Sequence, residues 1–136
     1  MVFLSLRVKR KRNEAIYDVG FLKRIKMQVF NLENMIRGWF VGDFDPSVLK
    51  SKEVEVGVKC YKKGDKEERH YHKVATEITA IISGRVRMNG VEYKESDIVV
   101  LSPFEDSDFE ALEDTKSVVV KIPSVRGDKY LGKFEK

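Results

Sequence analysis

The chain has 136 residues, 42% of them hydrophobic, and a formal net charge of +4, which indicates one globular domain with a core of its own. Its single cysteine, Cys60, excludes an intramolecular disulfide bond and favours a cytoplasmic protein. No apolar stretch has the length of a membrane span, and the first residues do not follow the order of a secretory signal, so we expect no membrane association.

Basic side chains are concentrated at the start of the chain. Residues 1–26 carry eight lysines and arginines against two acidic residues, so this segment has a charge of +6 and residues 27–136 have −2. A nucleic-acid-binding domain usually spreads its basic residues over a folded face with aromatic side chains, and we therefore do not expect nucleic acid as a partner. We predict a basic extension at 1–26, either frayed or helical around 13–25, and a domain at 27–136, with Met27 as a second candidate start.

Short strand patterns separated by turn residues fill most of the domain. Residues 53–61 alternate in polarity, which places Cys60 on a valine-rich face that we expect in the core. Asn89-Gly90 is the strongest short hairpin signal and lies between strand patterns at 84–88 and 91–94. Further strand patterns cover residues 28–32, 77–83, 98–101, 109–112 and 117–123. At least seven short strands at regular spacing predict an all-β sandwich or barrel.

The two histidines of the chain, His70 and His72, are separated by one residue. Side chains of a strand alternate between its faces, so both imidazoles point to the same side. Glu77 follows a short turn-like segment and opens the next strand, from which its carboxylate is expected to return toward the histidines. Two neutral nitrogens and one anionic oxygen form a ligand set for a divalent transition metal, with other coordination positions left open. The alternative is that both histidines are solvated in a charged hairpin at residues 62–73.

The spacing around these residues resembles the first sequence motif of the cupin superfamily: Gly, five residues, His-x-His, four residues, Glu, six residues, Gly. All five positions match, at Gly64, His70, His72, Glu77 and Gly84. The resemblance is to small single-domain cupins and implies an all-β fold, the cupin-type double-stranded β-helix or jelly-roll β-barrel. It also implies that His70, His72 and Glu77 bind one divalent transition metal, such as iron, manganese, nickel or zinc.

The second cupin motif is only partly present. Its glycine falls on Ser96, and the histidine that is usually the last metal ligand falls on Ser107. Three protein ligands with open positions are sufficient in facial-triad iron sites. We therefore predict a three-ligand site, with Ser107 itself or the nearby Asp106 as candidate additional ligands. The alternative is that the metal has been lost.

Three further side chains are candidates for chemistry inside the barrel. Lys59 and Tyr61 lie on the face of their strand opposite to Cys60, just before the metal-binding segment. Lys121 interrupts an apolar strand, where burial of a lysine is unfavourable unless it meets an anion. We predict Tyr61 and Lys59 as catalytic residues that move protons, and Lys59 and Lys121 as substrate-binding residues that hold a carboxylate or phosphate. The alternative is that each lysine reaches solvent from a strand edge.

A metal-dependent enzyme that acts on a small polar metabolite, such as a sugar or sugar derivative, is the first functional hypothesis. Residues 37–47 and 121–130 are similar to a group of small cupins that tend to accompany sugar-nucleotide and surface-polysaccharide genes, which favours carbohydrate metabolism and isomerase- or epimerase-type chemistry. A non-catalytic cupin that binds or senses a small-molecule ligand is the second hypothesis, and a non-haem iron dioxygenase is the third. The resemblance to small cupins also implies a homodimer.

Overall fold

The structure is a computed structural model that describes residues 26–136. The helix predicted around 13–25 lies outside the described residues. Asn31–Lys136 form one compact unit, and residues 26–30 belong to no helix or strand. Helices in the described part of the chain are short 3-10 helices at Leu32–Asn34 and Ile36–Gly38, and none is long and apolar enough to cross a membrane.

Eleven β-strands make up most of the regular structure that is described. In chain order they are β1 (Trp39–Gly42), β2 (Leu49–Lys50), β3 (Glu55–Tyr61), β4 (Lys66–Tyr71), β5 (Thr76–Ser83), β6 (Arg85–Met88), β7 (Val91–Lys94), β8 (Ile98–Leu101), β9 (Ser107–Ala111), β10 (Thr115–Ile122) and β11 (Tyr130–Leu131).

The strands form two sheets that pack against each other. One sheet has six strands in the order β2-β1-β3-β10-β5-β8, and the other has five in the order β11-β4-β9-β6-β7. A small apolar core joins the sheets, since Ile81 of the first sheet packs with buried residues of the second: Val86, Met88, Phe109 and Ala111. This confirms the predicted all-β, double-sheet jelly roll.

The inner face of the six-stranded sheet is unusually polar for a face that is turned toward a core. Residues that are directly opposite in antiparallel strands point to the same side of the sheet. On this side Ser117 of β10 lies between Lys59 of β3 and Ile81 of β5, and Lys121 of β10 lies between Glu55 and Glu77. Lys59, Glu77, Ser117 and Lys121 of these rows line a cavity between the two sheets, so the register of β10 decides which polar side chains meet there.

The prediction that Cys60 lies in the core is wrong. Cys60 is exposed, because the side of β3 that faces the cavity carries Gly57, Lys59 and Tyr61, and the valine-rich side faces outward.

The prediction of a strand at 28–32 is also wrong. The Asn31 side chain accepts a hydrogen bond from the backbone N–H of Glu33 at 2.8 Å, so it caps a 3-10 helix instead.

Gly84 links β5 to β6 and has a backbone conformation that only glycine adopts without strain. Its φ is +92°, and an added Cβ would lie 2.4 Å from the carbonyl oxygen of Asp114 and from Oγ1 of Thr115. The motif glycine therefore permits a close approach of two chain segments.

Candidate metal centre

His70, His72 and Glu77 come together between the two sheets. His70 lies near the end of β4, His72 follows that strand, and Glu77 is the second residue of β5 in the opposite sheet. One ligand atom from each of the three side chains lies within 4.8 Å of the others. The strand period and the short connection between β4 and β5 therefore produce the arrangement that the spacing predicted.

In both imidazole rings, Nε2 is the nitrogen that remains available to bind a metal. Nδ1 of His70 donates a hydrogen bond to the carbonyl oxygen of Glu68 at 2.9 Å, and Nδ1 of His72 donates to the carbonyl oxygen of Asp128. A proton on Nδ1 leaves the lone pair of a neutral ring on Nε2, which is the atom that binds a metal. A carbonyl acceptor on the far side is also the usual support of a histidine ligand.

The contact between His72 and Glu77 tests whether these residues fit a metal ion. Nε2 of His72 lies 3.0 Å from Oε2 of Glu77, and in a neutral ring both atoms are acceptors, so a positive charge is needed between them. Two ligand atoms at about 2.1 Å from one ion and at right angles to each other are separated by roughly 3 Å. The donor set and this separation therefore fit a divalent transition metal.

A proton competes with a metal ion for the same position. Burial alone would lower the pKa of His72, but the hydrogen bonds to Glu77 and to the Asp128 carbonyl outweigh it and raise the pKa. Burial alone would raise the pKa of Glu77, but His72 outweighs it and lowers the pKa. The pair is therefore set up to stabilise one positive charge between the two groups.

Asp128 fixes the segment that follows His72, and sequence reasoning missed this residue. Its carboxylate oxygens accept hydrogen bonds from the backbone N–H groups of Lys73 at 2.8 Å, Val74 at 3.1 Å and Ala75 at 2.9 Å. Burial opposes ionisation of Asp128, but these donors hold its pKa below the ordinary value. The sequence signal for such a role is weak, since Asp128 stands in an ordinary Gly-Asp turn 56 residues from His72.

A cavity of about 200 Å³ opens beside the three candidate ligands. The candidate residues Lys59, Tyr61 and Lys121 all line it, together with Trp39 and Ser117. The structure therefore brings the predicted catalytic, substrate-binding and metal-binding side chains into one place.

The two lysines of this cavity both lie close to one aromatic ring. Nζ of Lys59 is 4.7 Å and Nζ of Lys121 is 4.8 Å from the ring centroid of Trp39. Lys121 also lies 3.5 Å from a carboxylate oxygen of Glu55, and its side chain is only 17% exposed, so it does not extend into solvent. Burial lowers the pKa of Lys59; the negative charge of Glu67 opposes this shift, and the nearby cations Arg37 and Lys121 add to it.

Tyr61 lies in the same cavity and packs against Phe109, with ring centroids 4.5 Å apart. Burial raises the pKa of its hydroxyl well above the ordinary value, and the negative charges of Glu67 and Glu77 raise it further. Tyr61 therefore keeps its proton at neutral pH.

The two candidate additional ligands are placed differently. Ser107 is buried, lines the cavity and lies opposite His70 in the pairing of β4 with β9, where its hydroxyl donates to the carbonyl oxygen of Asp108 at 2.8 Å. Asp106 is not among the cavity residues. Its carboxylate binds the guanidinium of Arg69 at 2.5 Å and the backbone N–H of Phe134 at 3.1 Å.

Similarity to other proteins is found in the structure and not in the sequence. No protein-family model matches the chain, and no curated protein matches it in sequence. A conserved protein with a double-stranded β-helix domain from Klebsiella pneumoniae is 20% identical with a TM-score of 0.59, covering 80% of this chain and 100% of its own.

Two further solved structures share the architecture. An RmlC-like cupin from Shewanella frigidimarina is 18% identical with a TM-score of 0.51, covering 57% of this chain and 71% of its own. A bacterial pirin from Escherichia coli, solved in complex with nickel(II), is 18% identical with a TM-score of 0.55, covering 65% of this chain and 39% of its own. The chain therefore has the cupin-type double-stranded β-helix fold.

Proposed function

We propose that the chain binds one divalent transition metal through His70, His72 and Glu77 and acts as a metal-dependent enzyme on a small polar metabolite. The observation that carries this proposal is the convergence of three ligand atoms beside a cavity that also holds Tyr61 and two lysines. Iron, manganese, nickel and zinc all suit this ligand set. The nickel(II) complex of the Escherichia coli pirin supports a metal site in this fold.

Sugars and sugar derivatives are the substrate class that we propose. A bound divalent metal would supply Lewis-acid polarisation of a hydroxy-carbonyl group. Tyr61 then serves as the proton donor, because its raised pKa keeps it protonated until charge develops on a neighbouring oxygen. Lys59 either accepts a proton or holds an anionic group of the substrate. Together these groups suit the movement of a proton between adjacent carbons, as in isomerases and epimerases.

Two other functions are favoured by particular observations. The serine at position 107, where a fourth ligand is usual in cupins, favours a binding or sensing module without catalysis. The set of two histidines and one carboxylate favours a non-haem iron dioxygenase.

Hydrogen exchange in D₂O, measured together with oxygen consumption, distinguishes the three proposed functions. The metal-loaded protein is incubated with a panel of aldoses, ketoses and sugar acids in D₂O, and C–H exchange is followed by NMR while an electrode records oxygen. Exchange that stops on chelation and falls by about 100-fold in Tyr61→Phe supports the isomerase proposal. Oxygen consumption identifies a dioxygenase, and binding without turnover identifies a binding module. The matched control is Tyr130→Phe, at an exposed tyrosine of β11 outside the cavity.

We also propose a homodimer that forms through the outer face of the six-stranded sheet. Ile98 and Val100 lie on that face, opposite Ala80 and Ile78, and are 65% and 54% exposed. Such an apolar face is typical of a subunit contact.

A further inference from the structure

We infer that the cavity takes a small organic anion that also carries hydroxyl groups: its carboxylate or phosphate binds the ammonium groups of Lys59 and Lys121 beside Trp39, and one of its hydroxyl or carbonyl groups reaches Ser117. This inference names the substrate class of the proposed function and rests on it. Two independent features of the cavity support it: two ammonium groups close to the same aromatic ring, and a buried hydroxyl without a hydrogen-bond partner among the described residues.

The two ammonium groups are only partly matched by carboxylates of the described residues. Within residues 26–136, Nζ of Lys59 donates only to the carbonyl oxygen of Arg37, at 2.8 Å, and no carboxylate lies within 4.0 Å of it. Nζ of Lys121 lies 3.5 Å from one carboxylate oxygen, Oε1 of Glu55. Because both groups lie within 5 Å of the Trp39 ring, they repel each other in a region that is partly shielded from water. An anionic oxygen group that binds both ammonium groups offsets this repulsion.

The acidic residues of the cavity have other partners, although the charge of Glu67 also raises the pKa of Lys59 against the effect of burial. Glu77 is committed to His72, and Asp108 accepts from Arg69 at 3.0 Å and from the backbone N–H of Asn89. Glu67 interacts with the hydroxyl of Tyr61. Lys129 and Arg37 add further positive charge to the lining. The cavity therefore favours a negatively charged ligand.

Ser117 supplies the second feature. It is only 1% exposed, and its Oγ is the single buried side-chain N or O atom among the described residues that has no hydrogen-bond partner. A buried hydroxyl without a partner costs about 1–3 kcal/mol, so such groups are rare unless something outside the chain satisfies them. Ser117 lines the cavity next to Lys59 in the sheet, so a ligand that reaches the lysines can also satisfy this hydroxyl.

The size of the cavity limits the ligand to a small metabolite. Its volume of about 200 Å³ is below the range of roughly 300–1,000 Å³ that is common for drug-sized ligands. A hydroxy acid has an anionic end for the lysines, hydroxyl groups along its carbon chain for Ser117, and oxygens for the metal. A neutral polyol lacks the group that the lysines would bind.

Trp39 is the single tryptophan of the chain and lies against both lysines, so its fluorescence reports the proposed site directly. The nickel-loaded protein is titrated with D-gluconate, D-glucose 6-phosphate and sorbitol, and nickel content is measured in every sample. We expect a saturable fluorescence change with gluconate or with glucose 6-phosphate and none with sorbitol. The anion that gives the change shows whether the site binds a carboxylate or a phosphate. Nickel uptake that is normal while no anion binds would refute this inference and leave the metal proposal intact.

Three variants sharpen the test. Lys59→Met should weaken anion binding by about tenfold, whereas Lys116→Met, which removes the adjacent exposed charge on the outer face, should not change it. Ser117→Ala should weaken binding by about fivefold while leaving the melting temperature unchanged or raised, because it removes an unsatisfied group. Equal affinity in wild type and in Lys59→Met, or a lower melting temperature with unchanged affinity in Ser117→Ala, would overturn the inference.

Discussion

His72 and Asp128 lie 56 residues apart in the sequence and are joined by a hydrogen bond from Nδ1 of the imidazole to the backbone carbonyl oxygen. The carboxylate of the same aspartate holds the backbone N–H groups of the segment that follows His72. One residue thus fixes both the ring orientation of a candidate metal ligand and the turn that carries the chain to Glu77. Support of this kind is usual for histidines that bind metals.

Asp128→Ala is expected to lower both stability and metal affinity. Loss of the carboxylate leaves three backbone N–H groups without this acceptor, and that of Ala75 is buried, so we expect a fall of about 2–4 kcal/mol in the free energy of unfolding. The freed segment should also weaken nickel binding by about 10- to 100-fold. Urea denaturation and nickel titration measure the two effects. The control is Asp97→Ala, which removes an aspartate that accepts from the backbone N–H of Lys94, in a turn away from the metal centre. Nickel affinity that falls equally in both variants would argue against a specific role for Asp128.

Gly84→Ala is expected to be far more destabilising than Gly90→Ala. Both glycines have positive φ, +92° and +79°, so both substitutions introduce backbone strain of about 1–3 kcal/mol. At Gly84 the new Cβ also meets backbone and side-chain atoms, whereas at Gly90 nothing lies within 4 Å. Urea unfolding of the two variants should differ by about 2 kcal/mol or more. Equal effects would show that the loop at Gly84 has room to move.

Asp106 is expected to contribute to stability above about pH 4 and to lose that contribution in acid. The backbone N–H of Phe134 and the guanidinium of Arg69 hold the pKa of Asp106 below its ordinary value of 3.8. Since the folded-state pKa is the lower one, the contribution is complete above the unfolded pKa and disappears as pH falls through the folded pKa. Asp106→Asn should therefore be less stable than wild type at pH 7, with a difference that shrinks toward pH 2. Asp45→Asn, at an exposed aspartate, is the control. A difference that is constant with pH would contradict this assignment.

Ile98→Glu is expected to dissociate the proposed homodimer. A charge on the exposed apolar face opposes its burial in a subunit contact. Light scattering should give twice the chain mass of 15.8 kDa for wild type and the monomer mass for the variant. Leu131→Glu, at a 66% exposed leucine of β11 in the other sheet, should stay dimeric. A monomeric wild type would refute the dimer.

The sequence predicts the parts of the site that depend on local spacing. His70, His72 and Glu77 are found because strand periodicity and a short connection determine where their side chains point. Ser117 and Asp128 are not found, since their roles depend on sheet register and on contacts across the fold. Alternation in β3 shows that its two faces differ, but it does not show which face is inside. In the structure the polar face of β3 lines the cavity, and Cys60 on the other face is therefore exposed.

Metal content is the most direct test of the proposed site at His70, His72 and Glu77. His70 and His72 are the two histidines of the chain, so the protein must be purified without a histidine tag and without chelator. We predict close to one equivalent of iron, manganese, nickel or zinc by mass spectrometry, and its loss in His70→Ala/His72→Ala. A wild-type protein that takes up no divalent ion, or a double variant that retains the same amount, would contradict it.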